Sequence, residues 1–186
     1  MIYNSVADIF AANDNVRRRL LTRVESLSDG QTGATAGGWS VAEIVEHLSR
    51  TERRVARSLD GMLPAVLAGD DAATLSTGAA TDGERVVQSF TPFSLDDYVE
   101  QAREQKFEAP EYIRPRGSSL ADSLARLKES RVALEAMRPR FEAADYSKQF
   151  PHPAFGMLNV GQWLAFIGIH EERHIRQIER TVEAIK

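Results

Sequence analysis

From Asn159 to Ile178 the chain reads NVGQWLAFIGIHEERHIRQI, and its apolar residues recur at three and four, the pattern of one long amphipathic helix. At about 100° per residue, Trp163, Ile167, His170, His174 and Ile178 fall within a sector of roughly 80°, while Glu172, Arg176, Glu179 and Glu183 take the opposite side. Two imidazoles therefore lie in the stripe that such a helix must bury. Each needs a hydrogen-bond partner or a metal there, because an unpaired buried polar group costs on the order of 1–3 kcal/mol. The i, i+4 spacing also lets both rings reach one ion from the same face.

The rest of the chain repeats the helical pattern. A first helix is expected from about Ser5 to Leu27, on Val6, Ile9, Phe10, Asn13, Val16, Leu20, Val24 and Leu27, ending in the glycine-rich turn and loop SDGQTGATAGG. Ser40-Val41-Ala42-Glu43 is a capping box that opens a second helix, with Trp39 packing on its first turns and an inner stripe of Val41, Ile44, Leu48, Val55, Leu59 and Met62. That helix ends between Leu63 and Ala68. Gly69 to Phe93 has little periodicity and reads as a long crossover loop, and Ser94-Leu95-Asp96-Asp97 caps a short helix to about Lys106. After the irregular EAPEYIRPRGSS, a third long helix starts at Ser119, with Pro139 ending or kinking it. A connection containing PHPAFG leads to Asn159, which caps the last helix with Gln162 at the capping-box position. Four long helices, one short helix and no convincing strand predict an all-α four-helix bundle, with the long crossover allowing helices two and three to run parallel.

Composition narrows the function. At 186 residues and 42% hydrophobic content the chain is sized for a single domain over residues 1–186. A net charge of −4 with scattered basic residues argues against nucleic acid and against an anionic membrane surface. With no apolar run of about 20 residues and no signal-like start at Met1 to Phe10, a soluble cytoplasmic protein is expected. Cysteine is absent, so a metal must rest on nitrogen and oxygen ligands, and a protein thiol nucleophile is excluded.

A third ligand is needed beside His170 and His174, and His47 on the second helix is the candidate, at the border of the apolar stripe beside Thr51 and Ser58. Three histidines with one position left to solvent suit catalysis; a surface or hydrogen-bonded His47 and a satisfied core pair are the structural readings. His170-Glu171-Glu172-Arg173-His174 also matches the zinc protease motif H-E-x-x-H, with Glu171 as general base. Gln177 and Arg180 stand where the metzincin extension has glycine and a third histidine, and no downstream ligand domain follows, so the protease reading is rejected. Glu171 is then either a base or ligand-orienting group, or a solvated charge. His152, before Pro153, is either a turn residue or a pocket-rim group that contacts substrate, and Arg54 and Arg173 either hold a substrate carboxylate or form surface salt bridges.

Trp39-Ser40-x-x-Glu43-x-x-x-His47-Leu48, His152-Pro153-x-x-Gly156-x-Leu158 and Trp163-x-x-Phe166-x-x-x-His170-x-x-x-His174-x-x-Gln177-Ile178 together resemble the DinB/YfiT-like superfamily over most of the chain. The resemblance implies an up-down-down-up bundle, often a homodimer, holding a divalent ion (Zn, Ni, Fe or Mn) through His47, His170 and His174. Relatives of this kind include S-transferases that use bacillithiol and a mycothiol-dependent isomerase, in which the metal lowers the pKa of a cosubstrate thiol. The resemblance therefore implies a metal-dependent transferase acting on a small molecule with a low-molecular-weight thiol. Two alternatives stand beside it. One is a metal-dependent hydrolase with Glu171 or His152 handling protons; the other is a non-enzymatic metal-binding stress-response protein.

Overall fold

The computed structural model describes residues 2–65, 90–96, 100, 108–153 and 155–185. The crossover expected over Gly69–Phe93 and the short helix expected from Ser94 to Lys106 lie for the most part outside the described residues. Helix α1 is Val6–Glu25, α2 Asp29–Gly33, α3 Val41–Met62, α4 Leu120–Ala136, α5 Arg138–Glu142 and α6 Val160–Ala184. The four long helices are α1, α3, α4 and α6, and each begins where a side chain takes up a free backbone N–H. Ser5 accepts from Asp8 and Ser119 from Asp122; Ser40 with Glu43, and Asn159 with Gln162, form full capping boxes.

Two local expectations are corrected and a third, that Pro139 ends or kinks its helix, is narrowed. SDGQTG is not all loop, because Ser28 and Gln31 make a capping box that starts the short α2. Pro139 does not kink a continuous helix. It sits in the first turn of α5, where its missing N–H has no intrahelical partner to lose, so α4 stops at Ala136 and a new helix starts. Short strands also form: β1 (Ile2–Tyr3) pairs antiparallel with β2 (Phe93–Ser94), and β3 (Phe150–His152) with β4 (Gly156–Leu158).

Paired residues give the helix directions. Asn13 bonds Leu164, Arg17 bonds Glu171 and Arg19 bonds Glu172, so numbers rise together on α1 and α6 and these helices are parallel. Glu46 bonds Ser118, Glu52 bonds Ser130 and Asp60 bonds Arg140, so α3 and α4 are parallel too. Phe10 shares one apolar cluster with Val55 and Leu59, and Leu20 and Val24 share the other with Val41 and Ile44, so α1 and α3 are antiparallel. The topology is up-down-down-up. No described helix is long and apolar enough to cross a membrane.

The two apolar clusters are separated by a charged layer. Arg17 lies between Phe10 and Leu20, Glu52 between Leu48 and Val55, Ser130 between Leu127 and Leu134, and Glu171 between Ile167 and Ile175. Arg17 donates from Nε to Glu171 Oε1 (2.8 Å), from Nη1 to the Leu127 carbonyl (3.0 Å) and from Nη2 to both carboxylates. One α1 side chain thus bonds α3, α4 and α6. Ser130 Oγ donates to Glu52 Oε1 at 3.0 Å, and Arg131 stands 3.8 Å from each carboxylate.

Candidate metal centre

His47 comes from α3 and His170 and His174 from consecutive turns of α6, at the level of the apolar cluster that holds Ile44, Leu48 and Ile175. One nitrogen of each ring lies within 4.8 Å of the others'. His170 Nε2 is 3.3 Å from His47 Nε2 and 3.1 Å from His174 Nε2. Those separations fall in the range of roughly 2.8–3.4 Å between adjacent ligands held about 2.0–2.1 Å from one ion in octahedral or tetrahedral geometry.

The rear nitrogens decide what the front ones offer. His47 Nδ1 donates to the Ile113 carbonyl at 2.9 Å, and His174 Nδ1 donates to Gln177 Oε1 at 2.8 Å. In a neutral imidazole this leaves Nε2 with a lone pair. Two lone pairs therefore face His170 Nε2, and that nitrogen can donate a proton to only one of them. A cation fits this donor set, and rear N–H groups tied to acceptors are the usual support of a histidine ligand. Protonation is not an alternative remedy near neutral pH. Burial, reinforced by the other imidazoles, pushes His170 well below the usual histidine value; burial and His47 push His174 down to about 3; burial lowers His47.

The acceptor for His47 is held in place by the residue beside it. The Glu46 carboxylate, 1% exposed, accepts from the backbone N–H groups of Arg116, Gly117 and Ser118 at 2.9–3.0 Å and from Ser118 Oγ at 3.0 Å. Burial alone would raise its pKa, but these donors bring it below the usual carboxylate range. Gly117 takes a φ of 86°, which lets consecutive N–H groups point at one carboxylate. Arg50 Nη2 bonds the Tyr112 carbonyl at 2.9 Å and the Arg54 guanidinium lies 4.2 Å over the Tyr112 ring. The segment from Glu108 to Ser118 is thereby strapped to α3, and it presents Ile113 to His47.

Beyond the rings opens a cavity of about 930 Å³. Trp39, Tyr112, Phe155, Trp163 and Phe166 give it apolar walls, and Arg54, Arg173 and Arg180 line it beside Gln177. His152 is in this wall. It is 8% exposed, lies on β3 rather than in an open loop, and packs against Trp163 and Phe166 at 4.5 Å and Phe155 at 4.8 Å. Burial lowers its pKa to about 4.

Glu171 is elsewhere. It is 1% exposed, not a solvated charge, and it turns into the charged layer toward Arg17 instead of into the large cavity. Burial raises its carboxyl to about 7, with Arg17 limiting the rise. Sequence reasoning missed Arg17, Glu52, Glu46 and the Ile113 carbonyl. The first two carried a signal, since Arg17 falls between Asn13 and Leu20, and Glu52 between Leu48 and Val55, on buried stripes. The Glu46 and Ile113 partners lie about 70 residues away and leave no local trace.

Four helices with three imidazole nitrogens meeting at an open cavity define a helical-bundle protein with a three-histidine cluster that could hold a metal ion. The chain belongs to the DinB superfamily, whose family model matches residues 12–178, a span that contains all four histidines. It is similar to the uncharacterized protein YuaE of Bacillus subtilis (strain 168), at 24% identity over 177 residues, 93% of this chain and 96% of that protein. The solved structure of TT2238, a four-helix bundle protein, has the same fold: TM-score 0.58 and 19% identity, covering 94% of this chain and 98% of that one.

The three buried histidines and the half-buried His170 give the metal-free protein a defined pH response. Their folded pKa values lie below the usual 6.5, so from about pH 6.5 downward the unfolded chain binds more protons than the native one. Their stability contribution is fully present above that pH and is lost as pH falls toward the folded values. Each histidine adds a slope of up to about 1.4 kcal/mol per pH unit. Glu171, whose folded value is raised, works the other way between about 4.5 and 7 but counts only once. Urea unfolding of chelator-stripped protein is expected to show stability falling by several kcal/mol from pH 7.5 to 5, with His152→Gln flattening the slope.

Proposed function

We propose that this protein is a divalent-metal-dependent transferase that takes a low-molecular-weight thiol, of bacillithiol or mycothiol type, and directs its sulfur at a small electrophile. The observation that carries the reading is the convergence of His47, His170 and His174 on one point at the end of an open cavity. A divalent ion bound there supplies Lewis-acid chemistry that lowers the pKa of a thiol toward neutrality. The chain has no cysteine, so the sulfur comes from the cosubstrate. His47 and His174 hold their lone pairs forward through the Ile113 carbonyl and Gln177. The aromatic walls exclude water from the apolar part of the substrate, and Arg54, Arg173 and Arg180 favour an anionic one. His152, held neutral with a pKa of about 4, is a weak base at pH 7, so its role in this reading is to contact the substrate. Glu171 faces the charged layer and takes no part in proton transfer.

Protein purified without an affinity tag is expected to contain about one equivalent of a divalent transition metal, and His170→Ala to lose more than nine-tenths of it by elemental analysis. Unchanged metal content in the variant overturns the site. Thiol-dependent consumption of an electrophile, absent in His170→Ala, supports the transferase; turnover without thiol that falls in Glu171→Gln replaces it with a hydrolase.

A further inference from the structure

A second, much smaller cavity of about 10 Å³ lies between α3 and α6, with His170 in its lining. Thr51, Glu52, His170 and Glu171 line it together with Leu48 and Ile167. Its size is that of a single water. Two polar atoms of its lining are buried without a hydrogen-bond partner, Thr51 Oγ1 and Glu171 Oε2. Arg131 Nη2, at 3.8 Å, is too far from Glu171 Oε2 to bond it. His170 also differs from the other two rings: among the described residues, its hydrogen bonds run through Nε2 alone, whereas His47 and His174 each have an acceptor at Nδ1.

We infer that this cavity binds one water that joins His170 to Thr51 and Glu171, and that Glu171 and Thr51 are positioning residues for the third imidazole. The water accepts from His170 Nδ1–H and Thr51 Oγ1–H and donates to Glu171 Oε2, which satisfies all three groups at once. It fixes the His170 proton on Nδ1, so that the Nε2 lone pair points the same way as those of His47 and His174. The glutamate of the HEERH sequence thus acts on the site from behind, through a ligand, while Arg17 and the charged layer hold its carboxylate still. Partners of this kind set metal affinity by about 10- to 100-fold.

The inference rests on the three imidazoles holding an ion, and its test separates the two. Full-length protein stripped by chelation is titrated with Co²⁺, followed by its visible d–d absorption, for wild type, Thr51→Val, Thr51→Ser and Glu171→Gln. Thr51→Val is nearly isosteric and leaves Arg17 and its carboxylates alone, so it keeps the test valid where Glu171→Gln fails to fold. Thr51→Val is expected to weaken Co²⁺ binding at least 10-fold and shift the absorption bands, with Thr51→Ser restoring both. Wild-type affinity and an unchanged spectrum in Thr51→Val overturn the inference while the metal site stands. The ring ¹⁵N spectrum of the metal-free protein decides it without an ion. His170 is expected as the Nδ1–H tautomer in wild type and as a tautomer mixture in Thr51→Val, and an Nε2–H tautomer in wild type overturns the inference. Wild type that takes up no Co²⁺ fails the metal reading and leaves the tautomer to decide this one.

Discussion

Replacing Arg17 by methionine is expected to cost about 3–5 kcal/mol of unfolding free energy, enough to leave a domain of ordinary stability partly unfolded at 37 °C. The Arg17 residue is 7% exposed, and among the described residues its guanidinium is the one group that bonds α3, α4 and α6 from α1. Methionine fills similar volume, so a cavity is not the main loss. The cost comes from Glu52 and Glu171, 3% and 1% exposed, which lose their shared counterion and must either hold charge in a dry layer or take up a proton to avoid it. Arg131, at 3.8 Å from each, makes no hydrogen bond to either and compensates only in part. Changing both carboxylates as well, in Arg17→Met with Glu52→Gln and Glu171→Gln, is expected to recover a substantial part of the loss, because the triple variant leaves no buried carboxylate without a counterion and Arg131 keeps Asp14 at 3.4 Å. The single variant also strengthens the pH response of Glu171, which is opposite in sign to that of the histidines. Glu171, already raised by burial, is raised further without Arg17, so its contribution to stability is largest at low pH and is lost as pH rises through its folded value. Urea unfolding at pH 5 and pH 8 measures both effects; a loss below about 1 kcal/mol at pH 8 would show that the layer tolerates bare carboxylates.

Gly168→Ala is expected to destabilise the fold by roughly 1–3 kcal/mol although it improves helix propensity. In an exposed helix the same change gains about 1 kcal/mol. Here α1 and α6 approach so closely that a β-carbon at 168 overlaps Asn13 Oδ1 and comes within 3.2 Å of Asn13 Cγ and 3.4 Å of its Cα. Asn13 is fully buried and cannot swing away without losing its bond from Nδ2 to the Leu164 carbonyl at 2.9 Å. Overpacking of about 1–3 kcal/mol plus a lost buried hydrogen bond of about 1 kcal/mol exceeds the propensity gain. The double variant Asn13→Ala/Gly168→Ala removes the clash. Thermal or urea denaturation is expected to show it more stable than Gly168→Ala alone, a coupling that independent sites do not produce.

The helical segments were legible because their signals are local. Ser40 with Glu43 and Asn159 with Gln162 announce helix starts within four residues, and the three-four spacing of Ile44, Leu48, Val55 and Leu59 names the buried face without reference to any partner. His170 and His174 were legible as a pair for the same reason, since one helical turn brings them together. His47 was legible only as a histidine on the edge of a stripe; nothing within α3 shows that its ring meets α6. Glu171 shows the limit of such reading. Its angle on the helix placed it at the edge of the inner face, and the choice between solvent, site and core depended on α1 supplying Arg17, 154 residues earlier.

The sequence by itself determined four amphipathic helices, their caps, the exclusion of a thiolate supplied by the chain itself and the turn-to-turn pairing of two imidazoles. Only the tertiary structure decided that His47 joins them, that the strap held by Glu46 fixes its tautomer through Ile113, and that Glu171 belongs to a charged layer behind the site. The division follows from range. Helix formation, capping and i, i+4 geometry are settled among neighbours along the chain, whereas the protonation and orientation of a buried polar group depend on whichever distant segment the packing of four helices brings against it.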